Sequence, residues 1–460
     1  MPFLFSSAAL LPDGWARDVL LEWDDDGSIV GVSANAASNG HPRAAGPVLP
    51  GMPNVHSHAF QRAMAGLAER RGHPTDDFWT WRETMYELVR RLSPEDIGAI
   101  AAQLYIEMLK HGYTSVAEFH YLHRDAEGKP YADIATLAEP IVQAADVAGI
   151  ALTFLPVMYR FGGFGGRALK GGQRRFESDP ASIMALLAEM QSRHGDRRNF
   201  RLGVAPHSVR AVDAMLLTEV VARALEFDPQ LPIHMHLSEQ TREVSECRET
   251  HGVAPFAWVS DLVEVDSHWC FIHSTHITPK EAEALAGRGA VVGLCPTTEA
   301  NLGDGIFDFS GWFARGAAWA IGGDSHVSVS PFDELRALEA SQRLRLRVRN
   351  VASSESAPDV AANLWNGAAQ GGSQAIGQPV GSIAAGQRAD LVVLDGANVD
   401  FEGLAASDAL SVAMFGGNSN RVRDVFLAGR KVIDDGRHAR EQEAEREFRA
   451  ALRRLRPGSP

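Results

Sequence analysis

The feature that most constrains this chain is a theme repeated eight times. A short apolar run ends in polar or ionisable residues, and a stretch with apolar residues at helical spacing follows. The runs are 53–58, 115–120, 151–158, 200–207, 232–239, 269–274, 290–296 and 318–324. The intervening stretches 94–110, 180–193, 211–225 and 279–288 carry apolar residues three and four apart, the period of a helix buried on one side. Eight such units predict an α/β fold, a (β/α)8 TIM-type barrel whose parallel strands are buried on both faces. Active sites of such barrels gather at the C-terminal ends of the strands. His58, His120, His207, Glu239, His273 and Asp324 are the residues this pattern puts at strand ends.

Both ends of the chain read differently. Runs at 4–11, 18–23 and 28–32 are short, apolar and broken by Pro12-Asp13-Gly14 and Asp24-Asp25-Asp26-Gly27, which are strand and turn signals. The segment 381–432 looks alike, with a hairpin expected around Gly429. The expectation is a small β-sandwich domain from residues 1–48 and 375–434, a barrel domain over 49–374, and a polar C-terminal helix over 435–460. A chain of 460 residues with 45% hydrophobic content has ample material for both cores.

Charge and cysteine usage narrow the function classes. A formal net charge of -14 argues against a nucleic-acid partner, which would call for a basic surface. Positive charge concentrates only at 343–349 and in the tail before Pro460, both expected as exposed helical faces. No apolar run approaches the ~20 residues of a membrane span, and the N-terminus lacks the basic region of a signal peptide. Cys247, Cys270 and Cys295 form no CxxC pair, so neither a disulfide framework nor a cysteine zinc knuckle is expected. A reducing, cytoplasmic location follows from that usage.

The strand-end residues have the chemistry of a metal site. In His56-Ser57-His58, residues i and i+2 of a strand point the same way, so both imidazoles can face one ion. Neutral imidazole is a good ligand for a borderline-soft divalent metal. His236-Leu237-Ser238-Glu239 offers a third nitrogen, with Glu239 placed to move a proton to and from a water. His234 shares the face of His236 and is the alternative ligand. His273 can polarise an electrophile. Asp324, after Gly322 and Gly323, can approach an ion closely and accept a proton from the attacking water; alone it would read as a helix cap.

The order HSH, HLSE, His273 and GGDS resembles the amidohydrolase superfamily, as do Pro50-Gly51-Met52-Pro53-Asn54 and the late stretch 381–391. The resemblance spans nearly the whole chain and implies a barrel flanked by a β-sandwich made from both ends. Binuclear members use a carboxylated lysine on the fourth strand. The lysines here are Lys110, Lys129, Lys170, Lys280 and Lys431, and the fourth run has none. The resemblance therefore implies one metal held by His56, His58, His236 and Asp324, with Glu239, His273 and Asp324 as catalytic groups. Zinc is expected; iron(II) or manganese(II) suits the same donors.

Longer strings carry a substrate. His56 to Gly66, Phe78 to Tyr86, Glu118 to Tyr121 and Pro206 to Arg210 are similar to the branch that removes ammonia from N-formimino-L-glutamate in histidine degradation. That resemblance implies a small dicarboxylate bound by Gln61, Arg82, Tyr121, His207 and Arg210, and a homodimer. Arginine suits carboxylates because its fork donates to both oxygens. Trp79 and Trp81 are expected to pack a loop. The alternative is a deaminase of a flat heterocycle such as guanine, an adenosine derivative or a triazine.

Overall fold

The computed structural model describes residues 1–69 and 76–456. Eight parallel strands occupy the eight predicted runs: β1 (Met52–Ser57), β2 (Tyr113–His120), β3 (Ala151–Met158), β4 (Phe200–Leu202, resuming at Ala205–Pro206), β5 (Ile233–Leu237), β6 (Trp269–His273), β7 (Val291–Leu294) and β8 (Trp319–Ile321). Strands β1 to β4 pair in sequence, as do β5 to β8. Two kinds of bridge close the ring: Val204 with Ile233 and Ser208 with His236 join β4 to β5, and Ser57 with Asp324 joins β1 to the residues after β8.

The helices lie where the spacing predicts, and their starts are chemically marked. Ser93, Asp179 and Thr278 each accept from a backbone N–H of the first turn, followed by a proline that has no N–H to satisfy. The helix expected from 211 begins at Ala214, because Asp213 is its cap. A twelve-residue helix, Phe78–Val89, follows β1 and covers the top of the barrel with its aromatic residues.

The two ends of the chain build one eight-stranded sheet. Its order is Arg437–His438, Arg430–Asp434, Val422–Leu427, Leu391–Leu394, Val48–Pro50, Phe3–Leu11, Gly14–Trp23 and Ile29–Ser33. All neighbours are antiparallel except Phe3–Leu11 with Val48–Pro50. The sheet folds over a small core of its own that includes Leu4, Val19, Leu21, Trp23, Ile383, Leu391 and Val393. Val48–Pro50 runs directly into β1, so the strand carrying His56 and His58 is anchored in both sheets. The tail corrects one expectation: 435–460 opens with the short strand Arg437–His438, its helix is Glu441–Leu455, and residues 457–460 lie outside the described residues. Among the described residues, no helix is long and apolar enough to cross a membrane.

Candidate active site

β1 and β5 deliver three imidazoles to one point. His56 Nε2 stands 3.0 Å from His236 Nε2. Asp324 Oδ1 lies 3.5 Å from His56 Nε2 and 3.3 Å from His58 Nε2. The Nδ1–H of His58 donates to the Phe119 carbonyl and that of His236 to the His207 carbonyl, both at 3.1 Å. Those bonds fix the tautomer and leave the Nε2 lone pairs of both rings facing inward. Burial holds the His58 imidazole down at about 3, and burial also holds His56 and His236 well below the ordinary value, helped by His58 and His236 beside the first and by His207 and His273 beside the second. Three neutral, buried imidazoles with converging lone pairs and one carboxylate are a donor set that fits a divalent cation. His234 is not among them: it sits lower in β5 and its Nε2 meets the Ala375 carbonyl at 2.7 Å.

Asp324 reaches the cluster because Gly322 and Gly323 make room. A Cβ on Gly322 would come within 2.7 Å of the His56 side chain, and one on Gly323 within 2.6 Å of His326 Nδ1. The rim is also strained. Ser238, His273, Ser274, Asp324 and His326 all have left-handed backbone, with φ between 49° and 69°. Non-glycine residues in that region cost free energy and gather at functional sites.

Around the cluster stand the acid–base groups. His273 Nε2 lies 3.7 Å from Glu239 Oε1 and 3.8 Å from Asp324 Oδ2, and has no hydrogen-bond partner. Its Nδ1 meets Glu299 Oε1 at 3.1 Å, and that oxygen also accepts from the Cys295 N–H at 2.8 Å. Burial disfavours charge on His273, but Glu239, Glu299 and Asp324 outweigh it and hold the imidazole at about 10. Burial lifts Asp324 to about 7, against the pull of His273. Glu239 Oε2 is 3.3 Å from Arg210 Nη2, while Arg210 Nε donates to Glu243 Oε2 at 2.9 Å.

A narrow cavity opens onto these groups. It is lined by His58, Gln61, Arg82, Tyr121, His207, Arg210, His236, Glu239, His273 and Asp324, so nearly every residue expected at the site is brought together there. His56 lies behind the others. Tyr121 Oη is 3.2 Å from His207 Nε2 and 3.5 Å from His58 Nε2. Arg82 has no ion pair among the described residues, and its Nε is buried without a partner, as is Gln61 Oε1. The arginine pair expected for a dicarboxylate is thus unequal: among the described residues Arg210 already serves two carboxylates, and Arg82 serves none.

Two expectations are corrected, one at a strand end and one on the covering helix. His120 turns away from the cavity and packs on Phe154 and His123, because Phe119 and Tyr121 take the inward face and side chains alternate along a strand. Trp81, expected only to pack, lines the cavity with Phe78, Tyr86, Tyr159, Phe176 and Leu302. Sequence reading did not single out Glu243 and Glu299. Nor did it single out Gln173, whose amide donates to the hydroxyls of Tyr86 at 3.0 Å and Tyr159 at 3.3 Å. Glu118, the residue before Phe119, was also passed over. It accepts from the Ser57 hydroxyl, the Ala59 N–H and the Tyr105 hydroxyl, and so braces the strand end between the two histidines. Glu299 had one legible signal, its position four residues after Cys295 on the helix that follows β7.

A closed parallel barrel with imidazoles and carboxylates converging at the C-terminal ends of its strands is the architecture of a barrel hydrolase. A model of the amidohydrolase family matches residues 48–432, and a model of the formimidoylglutamate deiminase HutF N-terminal domain matches residues 1–44. The chain is 49% identical to a formimidoylglutamate deiminase of Pseudomonas aeruginosa, over 99% of this chain and 100% of that one. It is 28% identical to a 5-methylthioadenosine/S-adenosylhomocysteine deaminase of Natronomonas pharaonis, over 91% of this chain and 88% of that one. Among solved structures, an amidohydrolase from Brucella melitensis superposes with a TM-score of 0.92 at 41% identity, covering 99% of this chain and 100% of its own. The chain belongs to the amidohydrolase family.

Proposed function

We propose that this protein hydrolyses N-formimino-L-glutamate to N-formyl-L-glutamate and ammonia, as a step of histidine degradation. The observation that carries the proposal is Arg82, whose guanidinium has no ion pair among the described residues and faces the same cavity as Glu239, His273 and Asp324. The end-to-end identity of 49% to the Pseudomonas deiminase supports it. In this reading His56, His58, His236 and Asp324 hold a single divalent ion, zinc by preference. When bound, the ion supplies Lewis acidity that makes water nucleophilic near neutral pH.

The protein's own groups then divide the work. Arg82 receives a substrate carboxylate, with Gln61, Tyr121, His207 and the remaining N–H groups of Arg210 orienting the rest, so that the formimino carbon meets the water at a fixed distance. Glu239 accepts one proton of the water as it adds to the carbon of the protonated formimino group, and Asp324 accepts the second from the new hydroxyl as the carbonyl forms. His273, protonated on both nitrogens and anchored through Nδ1 on Glu299, donates from Nε2 to the tetrahedral centre. Glu239 passes its proton to the terminal nitrogen, the C–N bond breaks, and ammonia leaves. Arg210 holds Glu239 by one oxygen throughout. Three free, buried cysteines suit a cytoplasmic setting, and the resemblance implies a homodimer.

The aromatic lining from Phe78, Trp81, Tyr121, Tyr159 and Phe176 favours a second reading, a flat heterocycle. An ammonia-release assay on the zinc-loaded enzyme decides between them. Release from N-formimino-L-glutamate with N-formyl-L-glutamate as product is expected. Release from a purine or triazine alone would replace the proposal with the second reading.

A further inference from the structure

The indole of Trp79 is surrounded by three guanidinium groups. The Cζ atoms of Arg82 and Arg242 lie 4.5 Å from the ring centroid, and that of Arg210 lies 5.6 Å away. The three arginines come from three places: Arg82 from the helix Phe78–Val89 itself, Arg210 from the loop after β4, and Arg242 from the helix Thr241–His251 after β5. Two of them are fixed by carboxylates. Arg210 is paired with Glu243 at 2.9 Å and Glu239 at 3.3 Å, and Arg242 with Glu246 at 2.7 Å. Arg82 has no such partner among the described residues. What surrounds its guanidinium is aromatic: Trp79 at 4.5 Å, Tyr86 at 5.6 Å and Phe78 at 5.9 Å. Trp79, the nearest of these, does not itself line the cavity.

We infer that Trp79 is a positioning residue that aims Arg82 at the substrate's carboxylate. An aromatic face holds a guanidinium by its charge while leaving the N–H fork free. A carboxylate in the same place would aim Arg82 equally well, but it would neutralise the charge and compete with the ligand for the donors. The indole also joins the covering helix to the loop after β4 and to the helix after β5, so the arginine is held against the rim rather than swinging with its own long side chain. Arg210 and Arg242 have their own anchors, which makes Arg82 the group that depends on the ring.

The inference rests on the dicarboxylate reading of the cavity, and the test separates the two. Steady-state kinetics of the zinc-loaded full chain with N-formimino-L-glutamate are measured for Trp79→Leu, Trp79→Phe, Arg82→Met and the double variant Trp79→Leu/Arg82→Met. Zinc content and melting temperature are checked for each. Trp79→Leu is expected to raise KM roughly tenfold with kcat within about twofold of the parent. Trp79→Phe, which keeps a ring face, should recover most of that loss. The double variant should be no worse than Arg82→Met, because the indole acts through the guanidinium. If Arg82→Met raises KM and Trp79→Leu does not, or if the two effects multiply, the inference is wrong while the substrate reading stands. If Arg82→Met leaves KM unchanged, both fall together.

Discussion

Arg388 beside the terminal sheet and Arg82 at the barrel rim show two ways of using a guanidinium. Arg388 donates to both oxygens of Asp390, at 2.9 and 2.7 Å, and to Gln378 Oε1 at 2.8 Å. Asp390 Oδ1 also accepts the Ala428 N–H at 2.9 Å, so one salt bridge ties the loop at 388–390 to the turn at 428. The rim is the reverse. Arg82 Nε, Gln61 Oε1, His56 Nδ1 and His273 Nε2 are all buried without a hydrogen-bond partner. Each such atom costs on the order of 1–3 kcal/mol in the absence of a ligand. Around Arg388 the polar groups hold one another, whereas at the rim Arg82, Gln61 and His273 stand at the cavity. That division predicts that substitutions in the first region lower stability without touching turnover, and substitutions in the second do the opposite.

The largest expected effect tests the rim. Glu239→Gln should lower kcat by roughly 10²- to 10⁴-fold, the usual contribution of general acid–base catalysis, while metal content and unfolding midpoint stay at parental values. Near-parental turnover would remove Glu239 from the proposed proton path. The terminal sheet is tested next. Arg388→Ala leaves the Asp390 carboxylate buried without its partner, which should cost about 3–5 kcal/mol of stability, read as a lower denaturant midpoint with kcat and KM unchanged. A loss of turnover at equal stability would mean that the sheet reaches the site through β1, and the contrast between the regions would fail.

The same contrast explains what could be read from sequence. The eight strands and the convergence of His56 with His58 were legible because each repeats a local rule: an apolar run, a polar end, an i and i+2 pair. Gly322 and Gly323 were legible for a related reason, since the room they leave beside His56 and His326 is a backbone property. His120 misled because a strand end can be recognised without knowing which residue faces inward; Phe119 and Tyr121 took that side. Arg82 and Arg210 were both placed at the cavity by resemblance, but only the fold shows that Glu243 and Glu239 already hold one of them. Glu243, Glu299 and Gln173 act through contacts between different barrel loops, and no spacing along the chain announces such pairs. The end domain was legible as strands and a hairpin. That these join in one continuous sheet depends on Val48–Pro50 standing between Phe3–Leu11 and Leu391–Leu394, a pairing set by the barrel that separates the two ends.

The smallest effect sharpens the comparison on the terminal side, through His438 in its edge strand. The Nε2–H of His438 donates to the Ala148 carbonyl at 2.9 Å, and its Nδ1 accepts the Arg440 N–H at 3.1 Å. Both ring nitrogens are therefore committed to the neutral form, and a proton on Nδ1 would face another N–H. Burial lowers the imidazole below its ordinary value of 6.5, with the Ala148 bond opposing. Because the folded pKa lies below the unfolded one, the stabilisation is complete above the ordinary histidine pKa and is lost as pH falls through it. His56, His58, His207 and His236 at the rim shift in the same direction and His273 in the opposite one, so the wild-type profile alone cannot isolate His438. Unfolding midpoints of the zinc-saturated wild type and His438→Gln, compared from about pH 8 to about pH 5.5, remove the shared contribution. The variant should lose less stability on acidification than the wild type, and kcat should be the same in both at neutral pH. Parallel profiles would mean that His438 is solvated enough to titrate freely, and that the terminal sheet is less completely satisfied at its edge than around Arg388.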